Sequence, residues 1–227
     1  MSISIMGSGL IAQNLLQLKN KPNNALIIAM GVSNSSETEK SSFDRELSLV
    51  RNINTNDKVV YFSTCSIYDP LLVDNQYVKH KLKVEEMLID KFNDLLIIRL
   101  PQLLGYGGNP NNLVNYLYFS IKNNKKFTIW SETERNILDI NIIKDMIPIM
   151  IMDNKSGIYN LAAKEAIQVS EIVYKIENIL NKKGNYSKII KKSRYDIDIS
   201  KIISEYRCYE NYFLSSYYDD LLFKYLK

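Results

Sequence analysis

Ser2-Ile3-Ser4-Ile5-Met6-Gly7-Ser8-Gly9-Leu10-Ile11-Ala12-Gln13-Asn14-Leu15-Leu16 is the stretch on which the fold turns. Residues 2–6 alternate like a strand, Gly7 to Gly9 make a turn, and a helix follows. Gly7 permits the tight turn, Gly9 leaves room for a pyrophosphate against the backbone, and Ala12 lets the helix pack closely on the strand. The helix start, with Leu10 and Ile11, offers backbone N–H groups that lack intrahelical partners and suit phosphate oxygens. A strand-to-helix turn without a ligand carries the same letters, so the glycines gain meaning from what lies downstream.

Downstream, Val59-Val60-Tyr61-Phe62 reads as a hydrophobic strand running into Ser63-Thr64-Cys65-Ser66-Ile67-Tyr68, and Tyr77-Val78-Lys79-His80-Lys81 follows. Tyr77 and Lys81 are one helical turn apart and share a face. An ordinary tyrosine titrates near pH ~10, and a neighbouring ammonium favours its phenolate. Tyr77 is therefore expected to exchange protons with a substrate hydroxyl near neutrality, with Thr64 holding that hydroxyl by a hydrogen bond. The chain has 16 tyrosines, so a Tyr and a Lys four apart carry weight only together with the glycine turn.

Taken together, these segments resemble the extended short-chain dehydrogenase/reductase family of nucleotide-sugar epimerases, dehydratases and ketoreductases. Tyr77 to Glu86 is similar to the family's YxxxKxxxE helix. Leu96 to Gly105 is similar to its RxxNxxG strand and turn, with Gln102 in place of the usual Asn. Asn111-Asn112-Leu113-Val114 resembles the NNL segment, which implies that Asn112 and Leu113 hold the nucleotide diphosphate of the substrate. Arg135-Asn136-Ile137-Leu138-Asp139-Ile140 resembles the RDFIxV segment, which implies the same role for Arg135. Gly157-Ile158-Tyr159-Asn160-Leu161 resembles the GxYN strand. The resemblance covers nearly the whole chain. It implies catalytic roles for Thr64, Tyr77 and Lys81, and substrate contacts from Thr64, Cys65 and Gln102. It also implies NAD or NADP held by Gly7, Gly9, Leu10, Ile11, Ala12, Ala29, Gly31, Tyr77, Lys81 and Pro101.

One interval departs from the family. Gly7 and Tyr77 are 70 residues apart, roughly half the spacing in full-length members. In the family the second strand ends in an acid for the adenosine ribose, about 20 residues beyond the glycine turn. Here the next strand, Ala25-Leu26-Ile27-Ile28-Ala29-Met30, runs into Gly31-Val32-Ser33-Asn34 without one. It resembles the family's fourth strand instead, and Phe43 to Val50 the helix after it, so the second and third strands are inferred to be missing. The adenosine pocket goes with them unless Val32 to Ser36 or a partner chain rebuilds it. Weak cofactor binding suits a reductase, which releases spent cofactor at every turnover, better than an epimerase, which retains its NAD.

Nucleotide-sugar 4,6-dehydratases resemble S-T-D-E-x-Y after the strand. Cys65 and Ser66 stand at the two acidic positions, so dehydration is not expected. Ketone reduction or epimerisation needs only Thr64, Tyr77, Lys81 and a nicotinamide. The expected activity is an NAD(P)-dependent nucleotide-sugar ketoreductase of surface-polysaccharide biosynthesis, with Tyr77 as proton donor. The alternatives are an epimerase with tightly held NAD and a catalytically silent nucleotide-sugar-binding subunit. Thiol catalysis by Cys65 is not expected, because the sole imidazole, His80, is placed on a solvated helix face. One histidine and two cysteines suggest neither a metal site nor a disulfide framework.

A content of 46% hydrophobic residues in 227 is enough for a buried core. The expected fold is α/β, a shortened Rossmann-like doubly wound parallel sheet over 1–105. A small C-terminal substrate lobe follows over 106–227, with segments near 135–161 returning to the core. Apolar spacing predicts a helix over 170–180, ended by the turn Lys182-Lys183-Gly184-Asn185. No run approaches 18 uncharged apolar residues and Met1 leads directly into a strand, so the cytoplasm is expected and membrane insertion is not. The net charge of +4 comes with lysine clusters at 122–126, 182–183 and 188–192, but 25 acids balance them. They read as a solvated surface whose field attracts an anionic nucleotide sugar, not as a nucleic-acid face. Tyr206, Tyr209, Tyr212, Phe213, Tyr217, Tyr218, Phe223 and Tyr225 read as packing rather than base-stacking platforms. The resemblance also implies a homodimer through the YxxxK helix and the one before it; Leu82, Met87 and Leu88 serve that contact or the core.

Overall fold

The computed structural model describes residues 2–35 and 37–227; Met1 and Ser36, the last residue of the stretch expected to rebuild the adenosine end, lie outside the described residues. The first hundred residues alternate: β1 (Ser4–Met6), α1 (Leu10–Leu15), β2 (Ala25–Ile28), α2 (Lys40–Arg51), β3 (Lys58–Thr64), α3 (Gln76–Lys91) and β4 (Leu95–Leu100). Next come β5 (Gln102–Leu104), α4 (Leu113–Lys122), β6 (Phe127–Arg135), β7 (Ile137–Asp139), α5 (Ile140–Met152) and β8 (Gly157–Asn160). The chain ends with β9 (Ile167–Gln168), α6 (Val169–Leu180), β10 (Tyr186–Ser193), α7 (Ser200–Glu205) and α8 (Tyr217–Leu226). It divides into two compact units, Met1–Leu100 with Ile140–Leu161, and Pro101–Asp139 with Ala162–Lys227.

The first unit is built on a parallel sheet of order β1-β2-β3-β4-β8 among the described residues. The pairings run Ser4↔Leu26, Val59↔Leu95 and Leu96↔Gly157, with Ala25↔Lys58 joining β2 to β3. Every residue of β3 is buried, as expected of a strand covered on both faces. On one face Ile28, Val59, Tyr61, Leu95 and Ile97 form a core with Leu47 and Val50 of α2 and Val84 and Leu88 of α3. Ile27, Val60, Leu96 and Ile98 alternate to the other face and are equally buried. The remaining helices of this unit, α1 and α5, pack against each other. At the strand starts the buried Lys58 ammonium pairs with Asp94 and donates to Lys155 O (3.0 Å) and Ser156 Oγ (3.2 Å), tying β3, β4 and β8 together.

In a doubly wound sheet of order 3-2-1-4-5-6 the first strand is central. Here β1 lies at the edge, with β2 as its neighbour. That is the order left when the second and third strands are removed. It accounts for the short Gly7-to-Tyr77 interval and makes Ala25–Ile28 the counterpart of the fourth strand.

In the second unit β5 pairs with β7, while β6 lies between β10 and β9. Leu117 and Ile121 of α4, Phe127 of β6, Ile172 and Ile176 of α6, and Leu222 of α8 share one core. The helix expected over 170–180 is α6, and Asn181 ends it in the left-handed conformation at φ 46°. Of the C-terminal aromatics expected to pack, all but Phe223, which is 53% exposed, are buried or half-buried. Tyr209 is fully buried and donates to Ala162 O (2.9 Å), and Tyr225 donates to Asp139 (2.7 Å). No helix among the described residues is long and apolar enough to cross a membrane.

The two glycines of the turn play different parts. Gly7 has φ +133°, and a Cβ there would lie 2.3 Å from Ala29 O, whereas a Cβ on Gly9 would meet nothing within 4 Å. Gly7→Ala is expected to lower unfolding free energy by at least about 2 kcal/mol, and Gly9→Ala to change it by less than about 1 kcal/mol, as urea unfolding would read.

Candidate functional site

The glycine turn is open. Gly7, Ser8 and Gly9 are exposed, Leu10 and Ile11 are half-buried, and Ala12 is buried beneath them. Ala29 N donates to Met6 O (2.8 Å), which holds the end of β2 against the turn. The free space over Gly9 fits a pyrophosphate. Helix α1 is only six residues long, with no side-chain cap and no acid in its first turn. Its dipole is correspondingly small. Ala29 and Gly31 follow β2, and no acid stands between them and Ser35. The phosphate half of a dinucleotide therefore has a place here, while the usual partner of the adenosine ribose does not.

β3 carries Thr64 to its end and α3 carries Tyr77 and Lys81 on its buried stripe. Asn75 starts α3 by accepting from Val78 N (3.2 Å). Thr64 Oγ1 accepts from Ser66 N (3.1 Å), capping the short turn Cys65–Tyr68, and Thr64 lies close enough to Tyr77 to favour its ionised form. Thr64, Tyr77 and Lys81 are 5%, 7% and 4% exposed, so the expected catalytic groups lie beneath the surface. The Tyr77 ring joins an apolar cluster with Val32, Phe43 and Val78.

Lys81 behaves otherwise than expected. Its Nζ donates to Glu46 Oε1 (3.1 Å) and to Tyr61 Oη (2.9 Å). The Tyr77 hydroxyl is pushed up to about 12, chiefly by burial; the nearby Thr64 side chain lowers it and the Glu46 charge raises it. Tyr77 is thus a phenol at neutral pH, not the near-neutral phenolate expected from the Tyr-Lys spacing. The ammonium meant to stabilise the phenolate has a carboxylate beside it, and the Glu46 charge acts on Tyr77 in the opposite sense.

Glu46 escaped the sequence reading. It is 2% exposed and also accepts from Val32 N (2.8 Å), His80 Nε2 (2.8 Å) and Tyr61 Oη (3.1 Å). A carboxylate has about four lone-pair sites, and four donors converge on this one. Burial alone would raise its pKa, but the His80 and Lys81 donors and the Val32 amide outweigh that and hold it at about 2. An ionised carboxylate only accepts, so His80 carries a proton on Nε2. His80 itself is a correction: it is buried at 6% exposure with its ring centroid 4.7 Å from that of Phe43, not on a solvated face. A signal for Glu46 was present, since it lies within the apolar stripe Phe43, Leu47 and Val50, where a charge must be paired.

The turn after Thr64 is fixed from behind. Arg99 donates to both Glu85 oxygens (3.0 and 2.6 Å) and to Tyr68 Oη (3.0 Å), which in turn donates to Asn160 Oδ1 (3.0 Å). Cys65 sits above this network, fully buried, its thiol pushed up by burial. Its thiol is therefore not a nucleophile. The neighbouring Ser63 Oγ is buried without a hydrogen-bond partner.

The other expected substrate residues belong to the second unit. Asn112 is the N-cap of α4, accepting from Asn115 N (3.1 Å) and donating to Leu103 O (2.9 Å), so its side chain is already engaged. Leu113 begins α4, where backbone N–H groups lack intrahelical partners. Gln102 Oε1 is buried without a partner. Arg135, half-buried, donates to Glu134 O (2.7 Å) and Ser193 Oγ (3.1 Å). Pro101 directly follows β4 and is half-buried.

No family model matches the chain, and no curated protein matches its sequence. Solved structures do. RMD from Pseudomonas aeruginosa, complexed with NADPH, superposes with a TM-score of 0.73 at 12% identity, over 99% of this chain and 97% of that one. UDP-N-acetylglucosamine 4-epimerase from Bacillus cereus gives 0.71 at 18% identity, over 99% and 86%. dTDP-glucose 4,6-dehydratase from Bacillus anthracis, in complex with NAD, gives 0.70 at 16% identity, over 89% and 71%. The chain has the Rossmann-like α/β fold of these three proteins, with its first strand at the sheet edge.

Proposed function

We propose that this protein is an NAD(P)-dependent ketoreductase acting on a keto sugar attached to a nucleoside diphosphate, with Tyr77 giving its proton to the sugar oxygen. The observation that carries this reading is that Tyr77 lies buried beside Thr64 at the end of β3, its hydroxyl held at about 12 chiefly by burial. A group that must donate a proton has to carry it at the working pH, and Tyr77 does. Thr64 orients the acceptor oxygen beside it. The nicotinamide supplies the hydride when bound. Gly7, Gly9 and the α1 start suit its pyrophosphate, and the missing acid after β2 suits a cofactor that is released at each turnover. The solved neighbours support the cofactor assignment, since RMD is complexed with NADPH and the dehydratase with NAD. Arg135, Gln102, the Asn112 backbone and Leu113 are the residues proposed for the nucleotide diphosphate. Surface-polysaccharide synthesis in the cytoplasm, by a homodimer, belongs to the same proposal.

A second reading is a catalytically silent nucleotide-sugar-binding subunit. It is favoured by the Lys81 ion pair, which commits to Glu46 the ammonium on which an active enzyme of this kind would draw. An epimerase is the third.

Calorimetric titration with NADH, NADPH and nucleoside diphosphates, together with a spectrum of the protein as isolated, separates the three. Exchangeable micromolar binding of a reduced dinucleotide is expected; copurified NAD would favour the epimerase, and nucleotide binding without dinucleotide binding the silent subunit. Tyr77→Phe is expected to lower keto-sugar turnover by about 100-fold or more while changing nucleotide-sugar affinity by less than about twofold. A normal rate in that variant would remove Tyr77 from the reaction.

A further inference from the structure

We propose that Glu46 is a positioning residue that fixes the Lys81 ammonium against Tyr61, keeps Tyr77 a phenol, and so biases the site toward giving a proton rather than taking one. This rests on the reductase reading for its chemistry, but not for its geometry. Lys81 donates to Glu46, Lys81 donates to Tyr61, and Tyr61 donates to Glu46, closing a three-membered ring of hydrogen bonds at 3.1, 2.9 and 3.1 Å. Two of the three ammonium protons are thereby directed to one place. The ring is anchored from three sides: by Val32 N after β2, by His80 on α3, and by Tyr61 on β3. The two hydrogen-bond partners of Lys81 are Glu46 and Tyr61, and no hydrogen bond among the described residues joins it to Tyr77.

Position and charge lead to the same consequence. A lone buried ammonium one helical turn from a tyrosine would seek a phenolate as counter-charge; with Glu46 in place it has one already. The titratable groups acting on this cluster are Tyr61 from β3, Glu46 from α2, Tyr77, His80 and Glu85 from α3, and Cys65 beyond Thr64. Lys81 is paired with Glu46 at 3.1 Å. Taking a proton from a sugar hydroxyl, the first step of an epimerase, needs the phenolate. Giving one to a ketone oxygen needs the phenol, and Glu46 favours the phenol.

The test is the ionisation of Tyr77 followed by carbon-13 NMR on protein labelled at tyrosine Cζ, with the Tyr77→Phe spectrum identifying its signal. In the unaltered protein the signal is expected to stay that of a phenol up to pH about 11. In Glu46→Gln the midpoint is expected to fall by about one unit or more, and in Tyr61→Phe by less but in the same direction. An unchanged Tyr77 titration in folded Glu46→Gln overturns the proposal. Should that variant fail to fold, an unchanged titration in Tyr61→Phe does the same. Where turnover of a keto-sugar nucleotide is measurable, the alkaline limb of the rate profile is expected to move down with the NMR midpoint. A shifted Tyr77 midpoint in a protein without any turnover would uphold the role of Glu46 and overturn the reductase reading.

Discussion

A carboxylate with almost no access to water is the constraint around which the first unit is arranged. An isolated buried charge is untenable, so Glu46 dictates that a peptide N–H, an imidazole, a phenol and an ammonium be brought to it from separate parts of the chain. Each donor carries an element with it. The Val32 amide brings the backbone leaving β2, Tyr61 fixes the depth of α2 against β3, and His80 with Lys81 sets the rotation of α3. Removing one partner of such a cluster typically costs about 3–5 kcal/mol, whereas an apolar replacement of the whole set is often neutral. The cluster is therefore better understood as specifying an arrangement than as adding to stability. Its position, between the backbone after β2 and the helix bearing Tyr77, makes that arrangement chemically consequential.

The shortened sheet is consistent with this economy. A first unit of this size has little apolar area in reserve, and its largest fully buried side chains run from Leu15 on α1 and Ile27 and Ile28 on β2 to Tyr61, Leu88, Leu96, Ile97 and Ile98 around β3 and β4. The acid-base residues hang from these two central strands and from α3. The glycine turn instead hangs from β1.

Much of the fold was legible in the sequence because it rests on local patterns. Gly7 reads as a turn because only glycine accepts its backbone angle beside Ala29, and Ala25 to Ile28 reads as a buried strand from its continuous apolar run. The missing strands were legible as a distance, 70 residues from Gly7 to Tyr77. The candidate site was legible only in part. Thr64 and Tyr77 do meet, but the partner of Lys81 lies 35 positions back in the chain, and no single-sequence pattern joins Glu46 to it. The Phe43-Leu47-Val50 stripe does say that Glu46 points inward. What it meets there is a matter of packing between helices. Asn112, read as a phosphate contact, also has a plain local duty, its side chain serving as the cap of α4.

Among the described residues β1 pairs with β2 alone, over Ser4↔Leu26, Ile5↔Ile27 and Met6↔Ile28, while the chain just before it is bridged to Pro22 at Ser2. Edge strands held by so few ladder bonds open at a smaller free energy than central ones, and their amides exchange with solvent earlier. The turn from Gly7 to Gly9 belongs to that early-opening margin. A ligand gripping it first has to find the margin closed, so its apparent affinity is scaled by the fraction of molecules in which β1 is docked. Occupancy of the turn and order at the sheet edge are thus one equilibrium. A strand supplied to the free side of β1, from any source, would tighten binding at the turn without touching the ligand.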